Sequence, residues 1–445
     1  MTERRLETQP TTVPEEAKRA GEIWGRWSWV ELSVWTERML TALENGVKGG
    51  KWYSLMDKVY SMGNLRSAFS MVKANKGSPG IDHQTIEVFA SRLEENLENV
   101  SRALQDGRYR PQAIKRVWIP KPGSKEKRPL GIPTVRDRVV QAALRNVLEP
   151  VFEKDFADHS YGFRPGRGCK DALRRVDALL KQGYSYVVDA DLKSYFDTIP
   201  HDLLMARIRD KIADNRLLTL VELFLKQQVM EMTAGWTPET GTPQGAVLSP
   251  LLSNIYLNPL DHLMAQSGVN MVRYADDFVI LCRTEAEALQ ALALVQGWTA
   301  QAGLTLHPTK TRIVDAAVRG GFDFLGYHFE RGMRWPRRKS EKKLRDAIRD
   351  KTKRTNGHSL LAIISDVNRT LRGWFEYFKH SRRNTFRPLD SWIRMRLRSI
   401  LRKRQGGRGR GRGADHQRWR NAFFAEQGLF SLVAAHTAAC QSSRR

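Results

Sequence analysis

The chain has 445 residues, length enough for two or three domains with a full core, and its 41% hydrophobic content excludes a disordered protein. Its 74 Lys and Arg against 48 Asp and Glu give a net charge of +26, which calls for an anionic partner, nucleic acid foremost. Three separated cysteines, Cys169, Cys282 and Cys440, exclude a disulfide framework and a four-cysteine zinc site, and no apolar run is long enough to span a bilayer. The opening MTERRLETQPTTVPEE has no apolar signal region, so a cytoplasmic protein with no membrane partner is expected.

The charge is not spread evenly. Residues 1–330 hold 43 Lys and Arg against 40 Asp and Glu, whereas residues 331–420 hold 29 against 7. The excess therefore marks one region behind a nearly neutral body. In chain order, Trp24, Trp27, Trp29, Trp35 and Trp52 open the sequence and are expected to pin an N-terminal helical extension (1–60) to the body, rather than to stack on bases. Residues 186–195 predict a strand running into a loop, 202–230 are helical in period, and 271–281 predict a hairpin turning at Ala275-Asp276-Asp277. That order implies an α+β fold. In the basic region, 359–378 places Leu360, Leu361, Ile364, Val367, Leu371, Trp374, Phe375 and Phe378 at helical spacing, with Arg369, Arg372 and Lys379 on other faces. A second helix, 389–401, carries Trp392, Ile393, Leu397, Ile400 and Leu401 inward and Arg394, Arg396, Arg398 and Arg402 outward. Outward charges of one sign are costly without a bound polyanion, so this face is expected to meet RNA or DNA. The GGRGRGRG stretch at 406–413 reads as a flexible cationic loop.

The sharpest local feature is Tyr274-Ala275-Asp276-Asp277 between hydrophobic strands. Adjacent carboxylates repel and make a poor plain turn, so a cation should offset them. Upstream, Val187 and Val188 lead into Asp189, Ala190, Asp191 and Leu192. If the two segments are neighbours, Asp191 faces Asp276 and Asp277, giving three carboxylates for two magnesium ions ~4 Å apart, the arrangement for in-line phosphoryl transfer. The Leu192 carbonyl would add an oxygen ligand. Asp189 points the same way in a strand but lies deeper.

These motifs resemble the reverse transcriptase family, and within it the reverse transcriptase and maturase proteins of bacterial group II introns, from about residue 31 to the end. The resemblance implies a right-hand polymerase, with fingers (61–185) and palm (186–330; reverse transcriptase domain about 101–330), then an all-helical thumb and maturase domain (331–404) and a basic loop with a short DNA-binding extension (405–445). NKGSPGIDHQTIEVF at 75–89 resembles the family's N-terminal extension, and 107–144 resembles the fingers, where Lys121 and Arg128 would grip the incoming deoxynucleoside triphosphate. Arg136, Asp137 and Arg138 are template-side or structural charges. HSYGFRPGRG at 159–168 would offer Arg164 and Arg167 to template phosphates. In ADLKSYFDTIPHD at 190–202 the resemblance makes Phe196 the aromatic under the deoxyribose, excluding a 2′-hydroxyl. GTPQGAVLSPLLSNIYL at 241–257 brings Gln244 to the nascent duplex, which Gly241 and Gly245 let the backbone approach. GLTLHPTKTRIV at 303–314 supplies Lys310 as a proton donor near the pyrophosphate, and FDFLGYHF at 322–329 resembles the primer-grip hairpin.

The implied function is an RNA-directed DNA polymerase that also acts as intron maturase, with Asp191, Asp276, Asp277 and Lys310 catalytic. Its partners would be group II intron RNA, a DNA target and primer and deoxynucleoside triphosphates, with a homodimer as a further option. The chain lacks the histidine-and-cysteine nuclease pattern of many relatives, so the subclass without an endonuclease is expected. Two rivals stand beside this reading: a polymerase-inactive RNA-binding splicing cofactor, and a domesticated reverse transcriptase in defence or DNA repair.

Overall fold

The computed structural model describes residues 25–120, 127–232 and 234–442. Strand β1 (Ile114–Pro120) pairs antiparallel with β2 (Lys127–Ile132), the hairpin expected for the fingers; Lys121 lies outside the described residues. The other strands are β3 (Tyr186–Asp191), β4 (Val229–Glu231), β5 (Ala234–Trp236), β6 (Asn270–Tyr274), β7 (Asp277–Cys282), β8 (Arg312–Asp315), β9 (Phe322–Phe324), β10 (Tyr327–Glu330) and β11 (Met333–Pro336). They form three sheets, ordered β2-β1-β4-β5 in the fingers, β6-β7-β3-β8 in the palm and β11-β10-β9 beneath the thumb. The stretch 202–230 is helical only as far as Leu225, because Val229–Glu231 joins the edge of β1.

Alternation places the palm sheet between two cores. Val188, Ala190, Phe278 and Ile280 pack in one core with the Ser249–Gln266 and Glu285–Gln301 helices. Val187, Val272, Val279 and Leu281 face the other way, among Leu173 and Val176 of the Cys169–Lys181 helix and Phe322, Phe324 and Phe329 of the third sheet. By the same parity Asp189, Asp191 and Asp277 share a face of the sheet.

The N-terminal tryptophans are anchors, as expected; Trp24 lies outside the described residues. Trp35 is fully buried, its indole donates to the Asn146 carbonyl at 2.9 Å, and its ring meets Trp52 edge-on at 5.5 Å. Trp27 donates to Glu44 at 2.7 Å. Arg136, Asp137 and Arg138 also settle. Asp137 is buried and accepts from Tyr109 Oη at 2.5 Å and the Gln112 amide at 2.9 Å, while Arg138 donates to the Ser78 carbonyl at 2.6 Å and ties the 75–89 segment to the fingers.

The basic region forms the Arg338–Lys351, Leu360–Phe378 and Phe386–Arg404 helices. The second starts at a Ser359 cap, whose hydroxyl accepts from the Ala362 amide, and buries Ile363, Ile364, Val367, Leu371, Phe375 and Phe378. Leu361, expected inside, is 60% exposed. Trp419, Phe424 and Leu432 enter the same core as Leu371, Phe386 and Ile393, so the boundary expected at 404/405 does not separate two packed units. The extension is folded back onto the thumb: Asp390 accepts from the amides of Leu432 and Val433, and Asn368 bonds Gly428 and Phe430. Truncating Phe424 to Ala should therefore destabilise the thumb by about 3 kcal/mol in urea unfolding, whereas an independent appendage would leave the main transition unmoved.

Candidate active site

The register sets the site. β3 and β7 run antiparallel with Asp191 opposite Asp277, and β6 and β7 close with Tyr274 opposite Asp277, so Asp276 sits in the turn beside them. β3 thus lies beside the hairpin, with Asp191 opposite Asp277. Asp189 is one inward-facing position deeper and is already ion-paired with Arg312 at 3.2 Å. Asp191 itself accepts from Lys310 Nζ at 2.5 Å, while the Asp191 carbonyl accepts from the His307 amide at 2.7 Å. Leu192 is buried and bridges Leu306, which zips the loop carrying Lys310 to the end of β3.

The electrostatics ask for more positive charge than the protein supplies. Crowding by protein pushes the Asp277 carboxyl up to about 7; Asp276, Asp189 and Asp191 add repulsion, and Arg337 draws it down. Burial and Asp191 raise Asp276 also, although Arg273 opposes them. Among the described residues, no three His, Cys, Asp or Glu side chains already stand close enough to hold a metal ion. The donor set nevertheless fits one. The groups are hard carboxylate oxygens, mutually repelling, and the Lys310 ammonium on Asp191 stands where a cation is wanted.

A residue absent from the sequence reading holds the turn. Arg273, in β6, is fully buried; its guanidinium forms a bidentate pair with Asp261, donating Nε to Oδ1 at 2.7 Å and Nη2 to Oδ2, and Nη1 donates to Asn254 Oδ1 at 2.9 Å and to the Ala275 carbonyl at 2.8 Å. Asn254 donates in turn to the Gly162 carbonyl at 2.8 Å. Ala275 takes φ 60°, a strained value for a residue with a Cβ, and Gly162 lies so close that a Cβ there would sit 2.2 Å from the Ala275 nitrogen. The 159–168 and 241–257 motifs thus both bear on the Ala275-Asp276 turn. Asp261 and Asn254 lie seven residues apart on the Ser249–Gln266 helix, two turns on one face, which is the signal that could have found them.

The other expected site residues divide. Phe196 is half-buried against Tyr195, edge-on at 5.4 Å, and borders a 510 Å³ cleft with Pro129, Gly131, Thr242 and Pro243. Arg128 is exposed on the fingers hairpin, and Gln244 is half-buried. Gly245 has a φ of 104°, and a Cβ there would lie 2.6 Å from the Gly131 carbonyl, so the protein's own fingers strand requires the glycine. Arg164 is a correction. It is 6% exposed and donates to Glu153 at 2.7 Å and to the Ala157 and Ser160 carbonyls at 2.6 and 2.7 Å, which leaves no face for a template phosphate. Arg167 bonds the Asp158 carbonyl from a more open position.

In the thumb, Arg396 and Arg398 are corrections too. Arg396 donates to Thr352 Oγ1 at 3.0 Å and to the Thr352 carbonyl at 2.8 Å; Arg398, 3% exposed, donates to the Trp419 carbonyl and Asn421 at 2.8 Å. Both knit the thumb together because long basic side chains can bury their stems and cap carbonyls at helix junctions. Arg402 likewise pairs with Asp415 at 2.6 Å. Arg372 is exposed and lies over Phe430 at 4.7 Å, and Arg394 donates to Ser391 Oγ at 3.4 Å. The thumb also touches the turn between β9 and β10. Tyr377 Oη donates to the Leu325 carbonyl at 2.7 Å, and the Cys169 thiol lies beside the hydroxyls of both Tyr377 and Tyr274.

The sequence matches the family model "Reverse transcriptase (RNA-dependent DNA polymerase)" over residues 119–329 and "Group II intron, maturase-specific domain" over 341–419. Protein YkfC of Escherichia coli is 33% identical over 347 residues, 68% of this chain and 89% of that protein. The group II intron-encoded protein LtrA of Lactococcus lactis is 40% identical over 201 residues, but these cover 45% of this chain and only 33% of LtrA.

Two outcomes follow from this site. Replacing Asp261 by Ala leaves the Arg273 charge buried and unpaired, so unfolding free energy should fall by about 3–5 kcal/mol, with synthesis lost. A raised carboxylate pKa favours the folded state while protonated, so without metal Asp277 should reduce stability as pH rises from 4 through about 7, and added magnesium should reverse the loss. Denaturation of the wild type and Asp277→Asn across that window, with EDTA or magnesium, checks this; equal pH slopes would remove Asp277 as the cause. Its two domains in order, its palm geometry and its relatives together make this chain a member of the group II intron reverse transcriptase and maturase family.

Proposed function

We propose that the chain copies RNA into DNA at the Asp191, Asp276 and Asp277 end of the palm and binds group II intron RNA through its basic thumb to assist splicing. The observation that carries the reading is the pairing of Asp191 with Asp277 across β3 and β7, beside a turn that Arg273 and Asp261 hold rigidly. Asp191, Asp276 and Asp277, with the Leu192 carbonyl, would hold two magnesium ions. Bound there, the ions would activate the primer 3′-hydroxyl and neutralise charge on the departing pyrophosphate.

The protein's own groups do the rest. Lys310 would release Asp191 to the metal and stand ready to protonate the leaving pyrophosphate. Phe196 would pack under the deoxyribose and reject a 2′-hydroxyl by contact. Arg128 and Lys121 would grip the triphosphate from the fingers, and Gln244 would meet the nascent base pair. Arg167, Arg372 and Arg394 remain free enough to contact phosphates of template or intron. A binding-only cofactor is less well supported, because the carboxylates and the buried network that aims them are both present. The DNA target, the primer and any homodimer belong to this same proposal.

Asp276→Ala with Asp277→Ala should abolish magnesium-dependent cDNA synthesis while RNA affinity stays within about twofold; persistent synthesis would overturn the metal assignment. Phe196→Ala should admit ribonucleotides into the product, as read by alkaline cleavage, and uncut product would place the gate elsewhere. The expected rate loss for the acid pair is large, on the order of 10³-fold or more, since several kcal/mol of charge stabilisation vanish.

A further inference from the structure

We infer that His201 is a positioning residue for sugar selection: through the Gly241 carbonyl it holds the backbone segment that fixes Phe196. The inference rests on the reading of Phe196 as the residue that rejects a 2′-hydroxyl. Phe196 lies in a single helical turn, Tyr195–Thr198, entered through Ser194 at φ 50°. Tyr195 anchors one side of that turn; it is buried and donates its hydroxyl to the Ser253 carbonyl at 2.8 Å.

Segment 240–242 holds the turn from the other side, at each of its residues. The Thr242 amide donates to the Phe196 carbonyl at 2.7 Å, the Gly241 amide to the Ile199 carbonyl at 2.8 Å, and Thr240 Oγ1 to the Asp197 carbonyl at 3.1 Å. Gly241 has φ 88°, and a Cβ there would lie 2.7 Å from the Phe196 carbonyl oxygen. The two backbones therefore touch with no side chain between them, and a shift of the segment is a shift of Phe196.

No core backs the segment. Thr237, Pro238, Glu239 and Thr240 line the 510 Å³ cleft that Phe196 borders, and they also line a second cavity, of 630 Å³, whose wall includes His201, Met205 and Leu225. One extended strand between two open spaces has little packing to fix it, so its hydrogen bonds decide where it stands. His201 supplies the bond from behind. It opens the His201–Arg209 helix, is half-buried, and donates from Nε2 to the Gly241 carbonyl at 2.7 Å. His201 is not in the lining of the Phe196 cleft, so it acts on a sugar there only through Gly241. Rejection by contact uses the steep repulsive wall of the van der Waals potential. A small retreat of Phe196 admits the extra hydroxyl, while a deoxyribose loses little.

His201→Leu, of similar volume but without the donor, should raise ribonucleotide incorporation about tenfold, read by alkaline cleavage of the product, with kcat and KM for deoxynucleotides within twofold. His201→Gln, whose amide can present an N–H at the same reach, should restore discrimination to within twofold of the wild type. In the Phe196→Ala background, His201→Leu should add nothing, because the contact it aims is gone. Additive losses of discrimination would overturn the inference, as would a His201→Leu enzyme that makes less cDNA at unchanged discrimination. If His201→Leu does not fold, Thr240→Val decides: losing the exposed bond to the Asp197 carbonyl should raise ribonucleotide incorporation several-fold, and an unchanged level counts against the clamp. Phe196→Ala alone separates the two readings. If it admits ribonucleotides and the His201 and Thr240 variants do not, the gate stands and the positioning role falls; if it admits none, the gate reading falls and the inference with it.

Discussion

Everything at the candidate active site depends on one buried ion pair, Arg273 with Asp261. A guanidinium with no exposure must have its donors satisfied, and here they are satisfied by Asp261, Asn254 and the Ala275 carbonyl. Because Ala275 holds a strained positive φ between the two strands, that carbonyl bond decides where Asp276 points. The pair also locks the Ser249–Gln266 helix under the hairpin, and through Asn254 it draws Gly162 against the turn. One helix therefore fixes the Ala275-Asp276 turn, and a loop elsewhere in the sequence packs against it.

This anchoring explains how the site tolerates its own charge. Three carboxylates at adjoining strand ends repel one another and would splay a loose turn. The palm resists this through the packing of Phe278 and Ile280 on one face and Val279 and Leu281 on the other, and through the zipped loop that presents Lys310 to Asp191. The electrostatic tension is borne by this packing rather than relieved by unfolding.

The thumb is joined to this frame more closely than its composition suggests. Its +22 surplus reads as a surface for polyanion, yet a share of those cations is structural. Arg398 and Arg402 bind the C-terminal extension to the Phe386–Arg404 helix through Trp419 and Asp415, and Arg396 ties the same helix to Thr352 at the end of the Arg338–Lys351 helix. Arg372 stays exposed and Arg394 half-exposed. Tyr377 joins that module to the Leu325 turn, and Cys169 lies between Tyr377 and Tyr274.

By itself the sequence determined the elements with strong local signals. The acid-bearing strand ends at Asp191 and Asp276-Asp277, the anchoring tryptophans and both long thumb helices were legible, because period, turn chemistry and carboxylate repulsion are short-range properties. Only the tertiary structure decided which charges work at the site and which hold the fold. Arg164, Arg273 and Arg398 look alike in a sequence; what separates them is which acceptor is in place, and those acceptors come from Glu153, from Asp261 and from Trp419. A long flexible cation takes its role from partners far away along the chain, and only folding brings them within reach.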